Sequence, residues 1–196
     1  MKLLHIDSSI LGEVSASRQL SAAIVEAVTR AVPGIEIIRR DLNADPIPHL
    51  DGGLFAAALK GSAVLDEFLS ADIVVIGAPM YNFTIASQLK AWLDRIIIAG
   101  KTFGYTEAGA KGLAGGKKVI IASSRGGLYA PGTPQAAHDF QETYLRTILG
   151  FIGIEDIEIV RAEGLAYGPE QREAAMRAAL ASVSSVVAGL VPAKAA

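Results

Sequence analysis

Short apolar runs alternate with helical patterns five times along this chain, and that alternation limits the fold more than any other feature. The runs are KLLHID (2–7), IEIIRRD (35–41), ADIVVIGAP (71–79), KKVIIASS (117–124) and IEDIEIVRAEG (154–164). The third and fourth are continuous and β-branched, the pattern of strands buried on both faces. The second ends in Arg39, Arg40 and Asp41 and reads as a half-exposed edge strand. Helical patterns fall at roughly 17–32, 54–70, 84–99, 134–150 and 169–190. Ser17 is placed as the first N-cap and Pro33-Gly34 as that helix's stop, while Gly100 ends the third helix. The glycine-rich stretch 104–116 reads as a hairpin-like excursion before the fourth strand.

A repeated strand–helix order implies right-handed crossovers and a parallel sheet. The expected fold class is α/β: a flavodoxin-like, doubly wound, five-stranded parallel sheet in the order 2-1-3-4-5, with helices on both faces. One domain spanning 1–196 is expected. Half of the residues (51%) are hydrophobic and 19% are charged, which excludes disorder. A net charge of −2 without a basic run removes the footprint of a nucleic-acid partner. The absence of cysteine excludes disulfides, zinc thiolates and redox thiols. His5, His49 and His138 are scattered, so no metal site is expected. The first apolar run breaks at Asp7, unlike a signal peptide, and SVSSVVAGLVPA is too short and serine-rich to span a bilayer. A cytoplasmic protein without a membrane partner is expected, with an AKAA tail frayed after Pro192.

In such sheets ligands sit beyond the carboxyl ends of the strands, where strand order reverses. The unusual loops, DSSILGEVSAS, APMYNFT and SSRGGLYAPGT, follow strands one, three and four. The first leads into a helix N-terminus, where unpaired N–H groups and the dipole favour an anion. It has serines but no lysine, and neither a P-loop nor a dinucleotide fingerprint. Ser9, Ser15 and Ser17 together suit one terminal phosphate; helix capping by Ser15 and Ser17 is the competing explanation. PMYNF suits a wall for a flat, partly polar ring, or else a packed turn. In SSRGG the paired glycines allow close approach of backbone to a ligand, or else make a simple turn. Arg125 is open to contact with a ring, an anion or solvent. His138 reads as a surface or capping residue, and Asp7 as structural.

A monophosphate cradle, a ring wall and a glycine edge in one crevice describe a flavin mononucleotide (FMN) site, and a flavin brings its own redox chemistry. No catalytic side chain is therefore assigned, because the hydride chemistry belongs to FMN. The stretches SSILGEVSASRQLS, RDLNADPIPHLD, APMYNFTIASQLKAWLDRI, GKTFGYTEAGAKGL, SSRGG, LGFIGI and AEGLAYGP resemble those of the FMN-dependent NADH azoreductases, also called NADH:quinone oxidoreductases. The resemblance implies a homodimer with one noncovalent FMN per subunit. It implies a ping-pong cycle in which NADH or NADPH reduces FMN and a quinone or azo compound then takes two electrons. By position, Ser9, Ser15, Ala16 and Ser17 hold the phosphate; Met80, Tyr81, Asn82 and Phe83 contact the ring and ribityl chain; Ser124, Arg125, Gly126 and Gly127 line the other ring edge. The segment between LDGGLFAAA and SADIVV is shorter than in familiar members, which bears on substrate range. The apolar set Ile85, Leu89, Trp92, Leu93, Ile96, Ile97 and Ile98 on the third helix is wider than one sheet needs and is expected to support dimerisation. A flavodoxin-type electron carrier, a flavin reductase supplying reduced FMN, and a flavin-free phosphosugar-binding protein are the alternatives. A carrier would carry stronger acidic charge.

Overall fold

The computed structural model describes residues 1–190, so the AKAA tail lies outside the described residues. Along the chain run β1 (Lys2–Asp7), α1 (Ala16–Ala31), β2 (Glu36–Asp41), α2 (Gly52–Ala58), α3 (Ala63–Ser70), β3 (Ile73–Tyr81), β4 (Thr84–Ile85) and α4 (Ser87–Ile96). Then follow β5 (Phe103–Thr106), β6 (Gly109–Gly112), β7 (Lys118–Ser124), α5 (Glu142–Phe151), β8 (Ile157–Ala162) and α6 (Pro169–Ala188). The long strands are all parallel, in the order β2-β1-β3-β7-β8. The five-strand expectation therefore holds in part, with three short strands in addition. β4 folds back antiparallel on β3, and β5 and β6 form a separate two-stranded ribbon where a hairpin was expected.

Alternation along each strand sends neighbouring residues to opposite cores. Leu4, Ile6, Val74, Ile76 and Ile121 face one layer with α3, α4 and α5, while Leu3, Val75, Ile120 and Ala122 face the other with α1 and α6. The second helical pattern becomes two helices. Gly61 takes φ 118°, and Ser62 restarts the helix by accepting from the Leu65 N–H at 3.3 Å. The fourth starts late, at Glu142, where Asp139 Oδ1 accepts from the N–H groups of Gln141 and Glu142 at 3.0 and 2.9 Å.

The expected dimer face on α4 is overturned. Ile85, Leu89, Trp92, Leu93, Ile96 and Ile98 are all buried within the chain, and Ile97 packs half-buried against them. The width of that face has an internal cause: α4 lies on the sheet while Phe68 of α3 meets Trp92 edge-on, centroids 5.9 Å apart. No described helix is long and apolar enough to cross a membrane.

Candidate functional site

A cavity of about 470 Å³ opens at the carboxyl ends of β1, β3 and β7, where the chain leaves β1 for one edge and β3 for the other. Its lining contains Ser9, Ser15 and Ala16 from the first loop, Pro79, Met80 and Tyr81 from the second, and Ser124, Arg125 and Gly126 from the third. Leu11, Val14, Leu165, Ala166 and Arg172 complete it. The lining has no carboxylate, imidazole or ammonium group.

The first loop is built by hydroxyls. Ser8 Oγ donates to the Gly77 carbonyl at 2.8 Å, fixing the loop to β3. Ser9 Oγ lies 3.1 Å from the Tyr81 hydroxyl, which accepts from the Ile10 N–H at 3.2 Å, so the first and second loops are tied together. Ser15, not Ser17, is the N-cap of α1, accepting from the Arg18 N–H at 3.3 Å. Ser17 sits one position inside the first turn, with its Oγ 3.1 Å from that of Ser15. The capping explanation is thus true of Ser15, yet it consumes one donor only. The first-turn N–H groups of Ala16 and Ser17 have no acceptor among the described residues.

A cation is nearer than the loop sequence alone suggests. Arg18 donates to both Asp41 oxygens at 2.7 Å and to the Ser9 carbonyl at 2.9 Å. The Arg18 hydrogen bond holds the Asp41 carboxyl at about 2, against burial, which pushes it up. Arg172, from the first turns of α6, lines the cavity and donates to the Val14 carbonyl at 3.0 Å.

The second loop is a two-residue hairpin. Tyr81 pairs with Thr84, and Asn82 and Phe83 between them take φ 48° and 71°, the signature of a type I′ turn. Asn tolerates the left-handed region; Phe does so at a cost of about 1–2 kcal/mol. The surroundings hold Phe83 there: its carbonyl accepts from the Phe140 N–H at 3.1 Å, and its ring lies 6.2 Å from Tyr129 and 5.7 Å from His138. Asn82 lines an adjoining groove with Ile10, Met80 and Tyr81, while Phe83 lines neither and is half-exposed.

The third loop is zipped to the loop after β8. Arg125 and Gly126 carbonyls accept from the N–H groups of Leu165 and Ala166 at 3.1 and 3.0 Å, and the Gly127 carbonyl accepts from Gly164 at 2.8 Å. The N–H groups of Gly126 and Gly127 have no acceptor among the described residues. Gly127 lies outside the lining, beside the Tyr129 ring.

Arg125 belongs to the lining, but its side chain is fully buried and turned away into a charged cluster. Its guanidinium meets Asp139 at 2.8 Å, Glu142 at 2.5 Å and the Gln141 amide oxygen at 3.0 Å, with Glu163 at 3.6 Å. Glu142 also accepts twice from Arg161, at 2.9 and 2.6 Å. Burial pushes the Glu142 carboxyl up, but the Arg161 and Ser123 hydrogen bonds and the Arg125 charge hold it below the ordinary carboxylate range. Glu163 in turn accepts from the N–H groups of Tyr129 and Ala130. Of the options left open for the Arg125 side chain, contact with solvent is removed by its full burial, and the ion pairs fix the position of its loop. Leu165 and Ala166 were not singled out as site residues; their signal is that AEGLAYGP also follows a strand end. Arg172, on a helix, gave none.

Fold and cavity define the class: a doubly wound sheet with an acid-free crevice at the reversal point and a serine-capped helix start at one end. Residues 1–187 match the family model described as a flavodoxin-like fold. A protein of Methylocella silvestris named FMN-dependent NADH:quinone oxidoreductase is 56% identical over 91% of this chain and 95% of its own. One of Xanthomonas axonopodis pv. citri, named FMN-dependent NADH:quinone oxidoreductase 1, is 57% identical over 94% and 96%. Among solved structures, the FMN complex of an FMN-dependent NADH-azoreductase from Bacillus anthracis superposes with a TM-score of 0.86 at 27% identity, covering 97% of this chain and 99% of that one. The chain belongs to the family of FMN-dependent NADH:quinone oxidoreductases.

Proposed function

We propose that this protein is an FMN-dependent NADH:quinone oxidoreductase that also reduces aromatic azo compounds. One observation carries the reading: three strand-end loops line one cavity that presents no carboxylate, imidazole or ammonium group and whose far end is a hydroxyl-lined helix start. The residues fit FMN on that ground. Ser15, Ser17 and the free N–H groups of Ala16 and Ser17 suit a phosphate monoester, and Ser9 lies beside them. Pro79, Met80 and Tyr81 offer a flat wall, with the Tyr81 hydroxyl oriented by Ser9 and Ile10, and Asn82 and Phe83 follow at its rim. Ser124 and the free N–H groups of Gly126 and Gly127 suit the heteroatoms of a ring edge, with Arg125 fixing their loop. Held by these residues, FMN would supply the chemistry of a two-electron carrier between NADH and the second substrate, as a ping-pong cycle requires. The chain's task is to hold, orient and shield; no side chain is assigned a catalytic role.

The whole of 1–196 serves as a single FMN-binding domain in this reading, acting as a cytoplasmic homodimer. Exposed Ile10, Phe83 and Phe140, the last two joined by a backbone hydrogen bond, support a face between subunits in place of α4. The test is extraction of the bound flavin, which is FMN and not FAD, followed by anaerobic mixing with NADH and NADPH. Reoxidation by quinones and azo dyes without any partner protein separates the enzyme from an electron carrier. A flavin retained through gel filtration separates it from a reductase that releases reduced FMN. A colourless protein indifferent to FMN defeats the reading.

A further inference from the structure

Two guanidinium groups reach the serine loop, and they differ in what their charge is spent on. Arg18 is held between both Asp41 oxygens and the Ser9 carbonyl, with Asp7 at 3.9 Å, so its charge is already compensated. Arg172 has no such partner. Among the described residues its side chain makes one hydrogen bond, to the neutral Val14 carbonyl at 3.0 Å, across 158 positions of sequence. Val14 directly precedes the N-cap Ser15, and all three residues line the same cavity.

A guanidinium has five N–H donors in a planar fork that matches phosphate oxygens, and a charge-assisted bond to phosphate is stronger than one to a neutral carbonyl. The Val14 carbonyl parks the group at the rim and leaves most of those donors free. Parking lowers the ordering cost of capturing an anion beside it.

We propose that Arg172 is the cationic half of the phosphate cradle, closing on the phosphate monoester of FMN opposite Ser15, Ser17 and the start of α1. The inference rests on the FMN reading above and adds a specificity element supplied by a helix remote in sequence. It makes the preference for FMN over riboflavin, the same ring without phosphate, depend on α6.

The experiment strips the protein of flavin and titrates it with FMN and with riboflavin by fluorescence quenching, at low and high KCl. Wild type, Arg172→Met and Arg172→Lys are compared. Arg172→Met is expected to weaken FMN about ten- to a hundredfold and to flatten its salt dependence, while riboflavin affinity stays within about twofold. Arg172→Lys recovers part of the FMN loss, since it restores charge but not the fork. Wild-type FMN affinity in Arg172→Met overturns the proposal. Equal losses for FMN and riboflavin also overturn it, because the residue would then act through the shape of the loop. If Arg172→Met does not fold, Arg172→Gln carries the same comparison. A wild type that holds riboflavin as tightly as FMN refutes the phosphate cradle itself, and so is told apart from failure of Arg172 alone.

Discussion

Ser15 has two separable roles, because a hydroxyl oxygen can accept from a helix N–H while its hydrogen serves another acceptor. Loss of the cap in Ser15→Ala costs about 1 kcal/mol of fold stability, read by urea denaturation, whereas Ser17→Ala leaves stability nearly unchanged. The double variant is expected to weaken FMN by about 2–3 kcal/mol in a titration. Unchanged FMN affinity would reduce the pair to helix capping. Asp41 illustrates a second scale of charge. Its carboxyl is depressed to about 2, so its pairing with Arg18 stabilises the fold above the ordinary carboxylate value and is lost as pH falls through about 2. Asp41→Asn should flatten that acid limb of the stability curve, an effect under about 1 kcal/mol since the carboxylate is partly exposed. The serines stood out in the sequence because five of them fall within residues 8–21. Arg172 did not, because a lone arginine on a helix looks the same whether it faces solvent or a cavity.

Elements were legible where a single periodicity ruled and illegible where tertiary contacts cut across it. β3 and β7 read directly as buried parallel strands. The 134–150 pattern gives a single 3-10 turn at Ala136–His138 and an α-helix only from Glu142, since Gln141 and Asp139 are recruited to the Arg125 cluster instead. Likewise the apolar breadth of α4 is used inside the molecule, and no pattern in one sequence tells an inner surface from an outer one. The Arg125 cluster is the largest test at this scale. Removing its cation in Arg125→Met leaves Asp139, Glu142 and Glu163 facing one another, and is expected to cost about 3–5 kcal/mol in chemical denaturation. A variant as stable as the wild type would mean that Arg161 alone balances the cluster.

At the scale of the whole molecule, the reversal of strand order is what gathered three loops, the first and last more than a hundred residues apart, into one cavity. That gathering was foreseeable from strand–helix alternation alone. The ribbon of β5 and β6 was legible as a hairpin-like excursion, but β4 was not foreseeable as a strand: the β3–β4 hairpin depends on Phe83 accepting a left-handed backbone, which its side chain resists. The rim beside it carries the exposed rings of Phe83 and Phe140. If subunits meet there, Phe140→Glu shifts the protein from dimer toward monomer in sedimentation velocity, and a mass unchanged by the variant places the contact elsewhere. The backbone bonds that join residues 125–127 to 164–166 carry a last implication, for the order of events during synthesis. A chain emerging from the ribosome lacks one side of the crevice until its final quarter has been made. Flavin capture is therefore a late event of biogenesis, and nascent chains arrested before β8 should remain colourless however well their first strands have folded.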